Sequence, residues 1–166
     1  MPTGCRCCST FLQYNFFFRA MKSLPNDIFF AQVESEISLG RSVWFKVKGN
    51  SMYPFLSGDK DYILLSPVNE PVVKNDVVLF FYKGRHVLHR VIKIEGEKYI
   101  MQGDGVYASR EFCHSKDIIG KVTQIQRPSG KIIPVTSFKW RMFSLLWVNL
   151  RFLRKYLLFI YRRLFL

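Results

Sequence analysis

The order of apolar and polar residues changes period several times along this chain, and each change marks an element. Phe29, Val33 and Ile37 recur at i, i+4 and i+8, the spacing of one helix face, with Asn26 or Asp27 as cap and Gly40 as stop. A short helix to about Leu39 is predicted there. From Ser42 the period becomes two: Val43, Phe45 and Val47 alternate with Trp44, Lys46 and Lys48 until Gly49-Asn50 breaks the strand. Further strands are predicted at Tyr62–Ser66, Asp76–Lys83, His86–Glu95, Lys98–Gln102 and Ile118–Gln126. They are punctuated by Asn69-Glu70-Pro71, Lys83-Gly84-Arg85, Gly96 and Pro128-Ser129-Gly130. Short strands at this spacing predict a mainly β domain built as a bent sheet or partial barrel. From Phe138 to Leu166 the pattern turns helical and apolar, broken by Arg141, Arg151, Arg154, Lys155, Arg162 and Arg163.

These periods divide the chain into a poorly structured leader over 1–24, a β domain over 25–136 and a basic amphipathic helix over 137–166. Met21-Lys22-Ser23-Leu24-Pro25 reads as an alternative start. The apolar stretch from Phe11 to Phe18 is interrupted by Gln13, Tyr14 and Asn15, and is shorter than the roughly 20 residues a bilayer span needs. No signal peptide is predicted.

Charge sharpens the picture at the C-terminal end. Lys and Arg number 25 against 12 Asp and Glu, for a net charge of +13. Seven of the basic residues lie between Lys139 and Arg163, among Phe, Leu, Trp and Tyr. Spaced by the helical repeat, the six cations from Arg141 to Arg163 gather on about half the circumference, which suits a helix lying among anionic headgroups. The longest uncharged run, Met142 to Leu150, is nine residues, so a spanning helix would place arginines in hydrocarbon. The expected partners are an anionic membrane surface, through Phe138–Leu166, and a peptide or protein substrate. Nucleic acid is not expected, because the charge sits in an aromatic, lipid-like setting. With no export signal, the simplest placement is the cytoplasmic face of a bacterial inner membrane. Cys5, Cys7 and Cys8 crowd the N-terminus and Cys113 stands apart, which implies no disulfide framework. Their spacing, even with His114, matches no usual zinc pattern, so neither metal nor cofactor is expected.

Candidate chemistry centres on Gly49-Asn50-Ser51-Met52-Tyr53-Pro54-Phe55-Leu56-Ser57-Gly58-Asp59. A serine after a Gly-Asn turn at a strand end sits on a corner whose peptide N–H groups can face a developing oxyanion. Alone, it is an ordinary turn residue. The stretch resembles the nucleophile box of signal peptidase I, a Ser-Met pair followed by Pro, then Leu and Gly-Asp. Asn75-Asp76-Val77-Val78-Leu79-Phe80 is similar to that family's next strand, and His89-Arg90-Val91-Ile92 to the strand carrying the general base. Gln102-Gly103-Asp104-Gly105, then Asp117-Ile118-Ile119-Gly120-Lys121-Val122, is similar to its final box. Together these resemble the serine peptidases of the signal peptidase I and LexA-like superfamily, in the branch with histidine as base.

That resemblance implies Ser51 as nucleophile, His89 as base and Asp104 as the carboxylate that orients it. Gly49, Asn50, Met52 and Pro54 would form the oxyanion and substrate groove, and Val43, Phe45 and Val47 would line a groove for an extended peptide. His86 and His89 differ by three positions on a strand and so face opposite sides; the resemblance selects His89. Asp59 and Asp76 flank turns and read as structural. One departure stands out: Arg110 lies where the histidine-type members carry a second aspartate, with Glu111 beside it as a substitute. The expected function is a membrane-associated serine endopeptidase. Arg110 favours the alternative of a non-catalytic peptide-binding or scaffolding member. A self-cleaving LexA-like regulator is the third reading, but with only about 50 residues and one helix ahead of Ser51, a helix-turn-helix does not fit.

Overall fold

The computed structural model describes residues 25–150 except Tyr107, together with Leu153, Tyr156, Phe159 and Arg163. The predicted leader, with Cys5, Cys7, Cys8 and the Met21 start, lies outside the described residues. Helix α1 (Asn26–Ser38) leads into β1 (Val43–Lys46), β2 (Tyr62–Ser66), β3 (Val77–Tyr82), β4 (Arg85–Glu95) and β5 (Lys98–Gln102). Then come β6 (Glu111–His114), a 3-10 turn at Ser115–Asp117, β7 (Ile118–Gln126), β8 (Ile132–Pro134) and α2 (Phe138–Asn149). The protein is mainly β, as the periodicity predicted. Its eight antiparallel strands form one bent, unclosed sheet in the order β1-β2-β7-β3-β4-β5-β6, with β8 paired to β7.

Most strands lie where the alternation placed them. Two were missed, β6 and β8, which are only four and three residues long; β1 is as short as β6, but its alternation runs on through Val47 and Lys48. The cap of α1 also differs: Pro25 occupies the N-cap, and no side chain caps the helix. Proline fits there because its fixed φ suits the chain's entry and it has no N–H to leave unpaired. Gly40 ends the helix at φ +77°, a conformation other residues adopt at a cost.

The bend comes from burying both faces of β3. Val77 and Leu79 point into one core with Val33 and Ile37 of α1, Phe45, Leu56, Leu65, Ile125 and Trp140. Val78 and Phe80 point into a second, smaller core with Val72, Val91, Met101 and Cys113. A strand buried on both sides holds two packed layers together. Val43, Phe45 and Val47, expected to line a peptide groove, are instead buried in the first core, which Phe29 and Phe30 of α1 pack against. The alternation identified their shared face, and α1 covers that face.

Burial has a chemical consequence at Cys113. It stands 3 % exposed in the second core, and desolvation, then the nearby Asp117 charge, pushes its thiol up to about 12. In native protein at pH 8, Cys113 is expected to resist iodoacetamide, and to be alkylated readily in denaturant. Peptide mapping by mass spectrometry resolves it from the N-terminal cysteines; rapid native labelling would show that this core opens.

Candidate active site

The turn after β1 presents Ser51. Its flanks are anchored by apolar side chains: Met52 and Leu56 are fully buried, Phe55 nearly so, and the Leu56 N–H donates to the Met52 carbonyl at 3.0 Å. The end of the turn is tied back by the Asp59 N–H donating to the Val47 carbonyl at 2.8 Å. Asp61 is buried, accepts from the Ser57 N–H at 2.8 Å and pairs with Arg127. Gly58 lies so close to Gly49 that any side chain at 58 would collide with the Gly49 backbone. Ser51 itself is half-buried, on a corner that its neighbours hold rigidly.

A second loop, Gly103–Gly105, leaves the end of β5 and lies against this turn. The Gly105 N–H donates to the Ser51 carbonyl at 2.8 Å. A Cβ at Gly105 would stand 2.5 Å from the Asn50 carbonyl oxygen, so the two backbones meet without room for side chains. At Gly103 a Cβ would collide with the Ser51 carbonyl oxygen and stand 3.0 Å from His89 Nε2. The Ser51 backbone and the Nε2 edge of the His89 ring therefore both lie against Gly103.

His89 is buried on β4, and its Nδ1 lies 2.8 Å from Glu111 Oε2. A carboxylate only accepts, so this contact puts the proton of the neutral ring on Nδ1 and leaves the lone pair on Nε2. Register brings the acid there: Val91 pairs with Met101, and Met101 pairs with Glu111 at the start of β6. Burial lowers the pKa of His89 from its ordinary value; Glu111 and then Asp104 pull upward, and Arg85 adds to the lowering. The result is an imidazole that stays neutral to lower pH than usual. His86 points the other way, as the strand period requires, stacking on Phe30 and meeting Glu34 at 2.7 Å.

Asp104, expected to orient the histidine, is committed to Arg90. The guanidinium Nε lies 2.9 and 3.1 Å from its two carboxylate oxygens, and a second nitrogen lies 2.7 Å from Oδ2. Both partners are essentially inaccessible to water. Arg90 also donates to the Asn75 carbonyl at 2.9 Å and to Ser144 of α2 at 3.0 Å, with Phe55 and Trp140 against its face. Trp147 Nε1 donates to the Asp104 carbonyl at 3.1 Å. The carboxylate hydrogen-bonded to His89 is thus Glu111, the residue next to the exposed Arg110. Sequence reading passed over Arg90, whose only signal is a cation inside the apolar run Leu88–Ile92.

The other expected site residues fall into place by their backbone. Gly49 takes φ +76° at the start of the turn, and the Asn50 carbonyl accepts from the Tyr53 N–H at 3.2 Å. Met52 contributes its side chain to the core, and Pro54, following a cis peptide bond, has no N–H to offer an oxyanion. Asp59 sits in the turn at φ 59°, and Asp76 accepts from the Val73 N–H at 3.0 Å, both structural as read.

A bent antiparallel sheet with a serine on a rigid turn beside a buried histidine belongs to the serine-peptidase and LexA-like class of folds. The model of the Peptidase S24-like family matches residues 19–123, and the chain belongs to that family. The match supports hydrolase chemistry of the peptidase kind at the level of the family. No curated protein matches the chain.

Replacing Arg90 with Met would strip the buried Asp104 carboxylate of its guanidinium and is expected to cost about 3–5 kcal/mol in urea unfolding. The double variant Arg90→Met/Asp104→Leu should recover part of that loss; strictly additive losses would show that the pair is uncoupled.

Proposed function

We propose that the protein is a serine endopeptidase in which Ser51 attacks the scissile carbonyl, His89 is the general base and Glu111 orients His89. The observation that carries this reading is the 2.8 Å contact of His89 Nδ1 with Glu111, which leaves the lone pair on Nε2, the ring atom that lies against Gly103. In the first half-reaction Ser51 Oγ forms a bond to the carbonyl carbon and passes its proton to Nε2. The peptide C–N bond then breaks as Nε2 returns that proton to the leaving amine, leaving an ester on Ser51. Water, deprotonated by the same nitrogen, hydrolyses the ester. Turn amides at Ser51 and Met52 supply N–H groups for the oxyanion. Asp104 in this scheme shapes the site, fixing the Gly103 loop through Arg90. Membership of a peptidase family and the convergence of Ser51 and His89 on Gly103 support the assignment.

Cleavage of a pooled peptide library is expected to disappear with Ser51→Ala and to fall about 10²–10⁴-fold with His89→Ala. Glu111→Gln should lower kcat well beyond any change in KM, whereas Asp104→Asn should act chiefly through stability. Equal silence of parent and variants toward every peptide would favour a peptide-binding member instead. Because burial lowers the pKa of His89, the base is deprotonated at higher pH and lost as pH falls. The acid limb of kcat/KM is expected below pH 6.5, and a midpoint well above it would exclude His89 as the titrating group.

A further inference from the structure

Helix α2 has two apolar sides, and the β unit uses one of them. Trp140, Ser144 and Val148 are buried at a spacing of four residues, with Trp147 beside them hydrogen-bonded to the Asp104 carbonyl. The opposite side shows Phe138 78 % exposed, Phe143 56 %, and Leu145 and Leu146 49 % each. Leu153, Tyr156 and Phe159, helical positions further on, are likewise exposed. A helix apolar around most of its circumference calls for a partner on both sides.

Charge identifies the second partner. From Ile118 to Leu166 the chain carries ten Lys and Arg and no Asp or Glu. Lys139 and Arg141 are exposed on α2 itself, among or beside the apolar residues. A bilayer offers hydrocarbon beneath a plane of anionic headgroups and so takes apolar and cationic side chains at once. Among the described residues no helix is long and apolar enough to cross a membrane, and a helix lying in the headgroup plane needs no such length.

We infer that the exposed side of α2 docks on an anionic lipid surface while its other side stays fixed to the Arg90–Asp104 pair. The inference is independent of the peptidase reading. The same short helix then links the bilayer to the loop that carries Gly103.

Sedimentation of the full chain with vesicles tests this directly. Vesicles of phosphatidylcholine with phosphatidylglycerol should bind the protein, and raised salt should weaken the binding. Phe143→Asp/Leu146→Asp should abolish binding, and Lys139→Glu/Arg141→Glu should weaken it about tenfold or more. All four side chains are exposed, so urea midpoints and circular dichroism should match the parent, which separates lost docking from lost folding. Failure of the parent to bind anionic vesicles, or equal binding by folded Phe143→Asp/Leu146→Asp, overturns the inference. Self-association that the same double substitution abolishes, without vesicle binding, would assign the face to a second copy and also overturn it.

Discussion

A guanidinium buried out of reach of water constrains everything around it. Removing Arg90 and Asp104 from solvent carries a desolvation cost of several kcal/mol per ion, offset only if nearly every donor and lone pair is met. Arg90 meets that condition by drawing on four parts of the chain: Asp104 after β5, the Asn75 carbonyl before β3, Ser144 on α2, and the ring of Phe55 in the Ser51 turn. Each is held where the guanidinium needs it. The pair adds little net stability by itself, but it fixes the relative placement of segments that would otherwise be joined only by loops.

Successive residues of β4 divide the two nearby acids between them. His89 takes Glu111, and Arg90 takes Asp104. Under the proposed mechanism this separation lets one strand serve both chemistry and architecture. A permanent cation holds the loop, so the titratable ring is left to change protonation without releasing it. Were Asp104 the partner of His89, loss or gain of one proton would disturb the contact that positions Gly103 against Ser51. In the proposed mechanism, with Glu111 in that role, the proton chemistry would sit on the edge strand β6, and the buried ion pair would remain constant.

The alternation of apolar residues made most of the sheet legible, because a period of two shows wherever apolar and polar residues alternate over five or more positions, as they do from Val43 through Lys48. β6 and β8 fall below that length. The motifs singled out the turn at Ser51 and the histidine of β4, and named Asp104 as the partner of His89 with Glu111 only as a substitute, whereas the carboxylate that accepts from His89 is Glu111. Counting along the chain reaches Arg110, whereas strand geometry turns Arg110 to solvent and Glu111 inward opposite Met101. Val43, Phe45 and Val47 show the complementary error: their shared face was plain, but what covers it depends on where α1 folds back. Neither pairing register nor the docking of a helix is encoded in local periodicity, since both are settled by contacts distant in sequence.

The same reasoning explains how α2 is seated on the sheet despite its modest length. A twelve-residue helix is marginal in isolation, and its stability has to come from tertiary contacts. Trp140 supplies a large ring to the first core, edge-on to Phe55, and Ser144 supplies the one small polar atom that Arg90 still needs. A leucine at 144 would fill space but leave a guanidinium N–H unmet; an alanine would leave it facing a void. The serine is therefore what makes an apolar helix specific for this place on the sheet. That fit, together with the burial of Trp140 and Val148, sets which side of α2 turns inward, and so which side is left outward with Phe143 and Leu146.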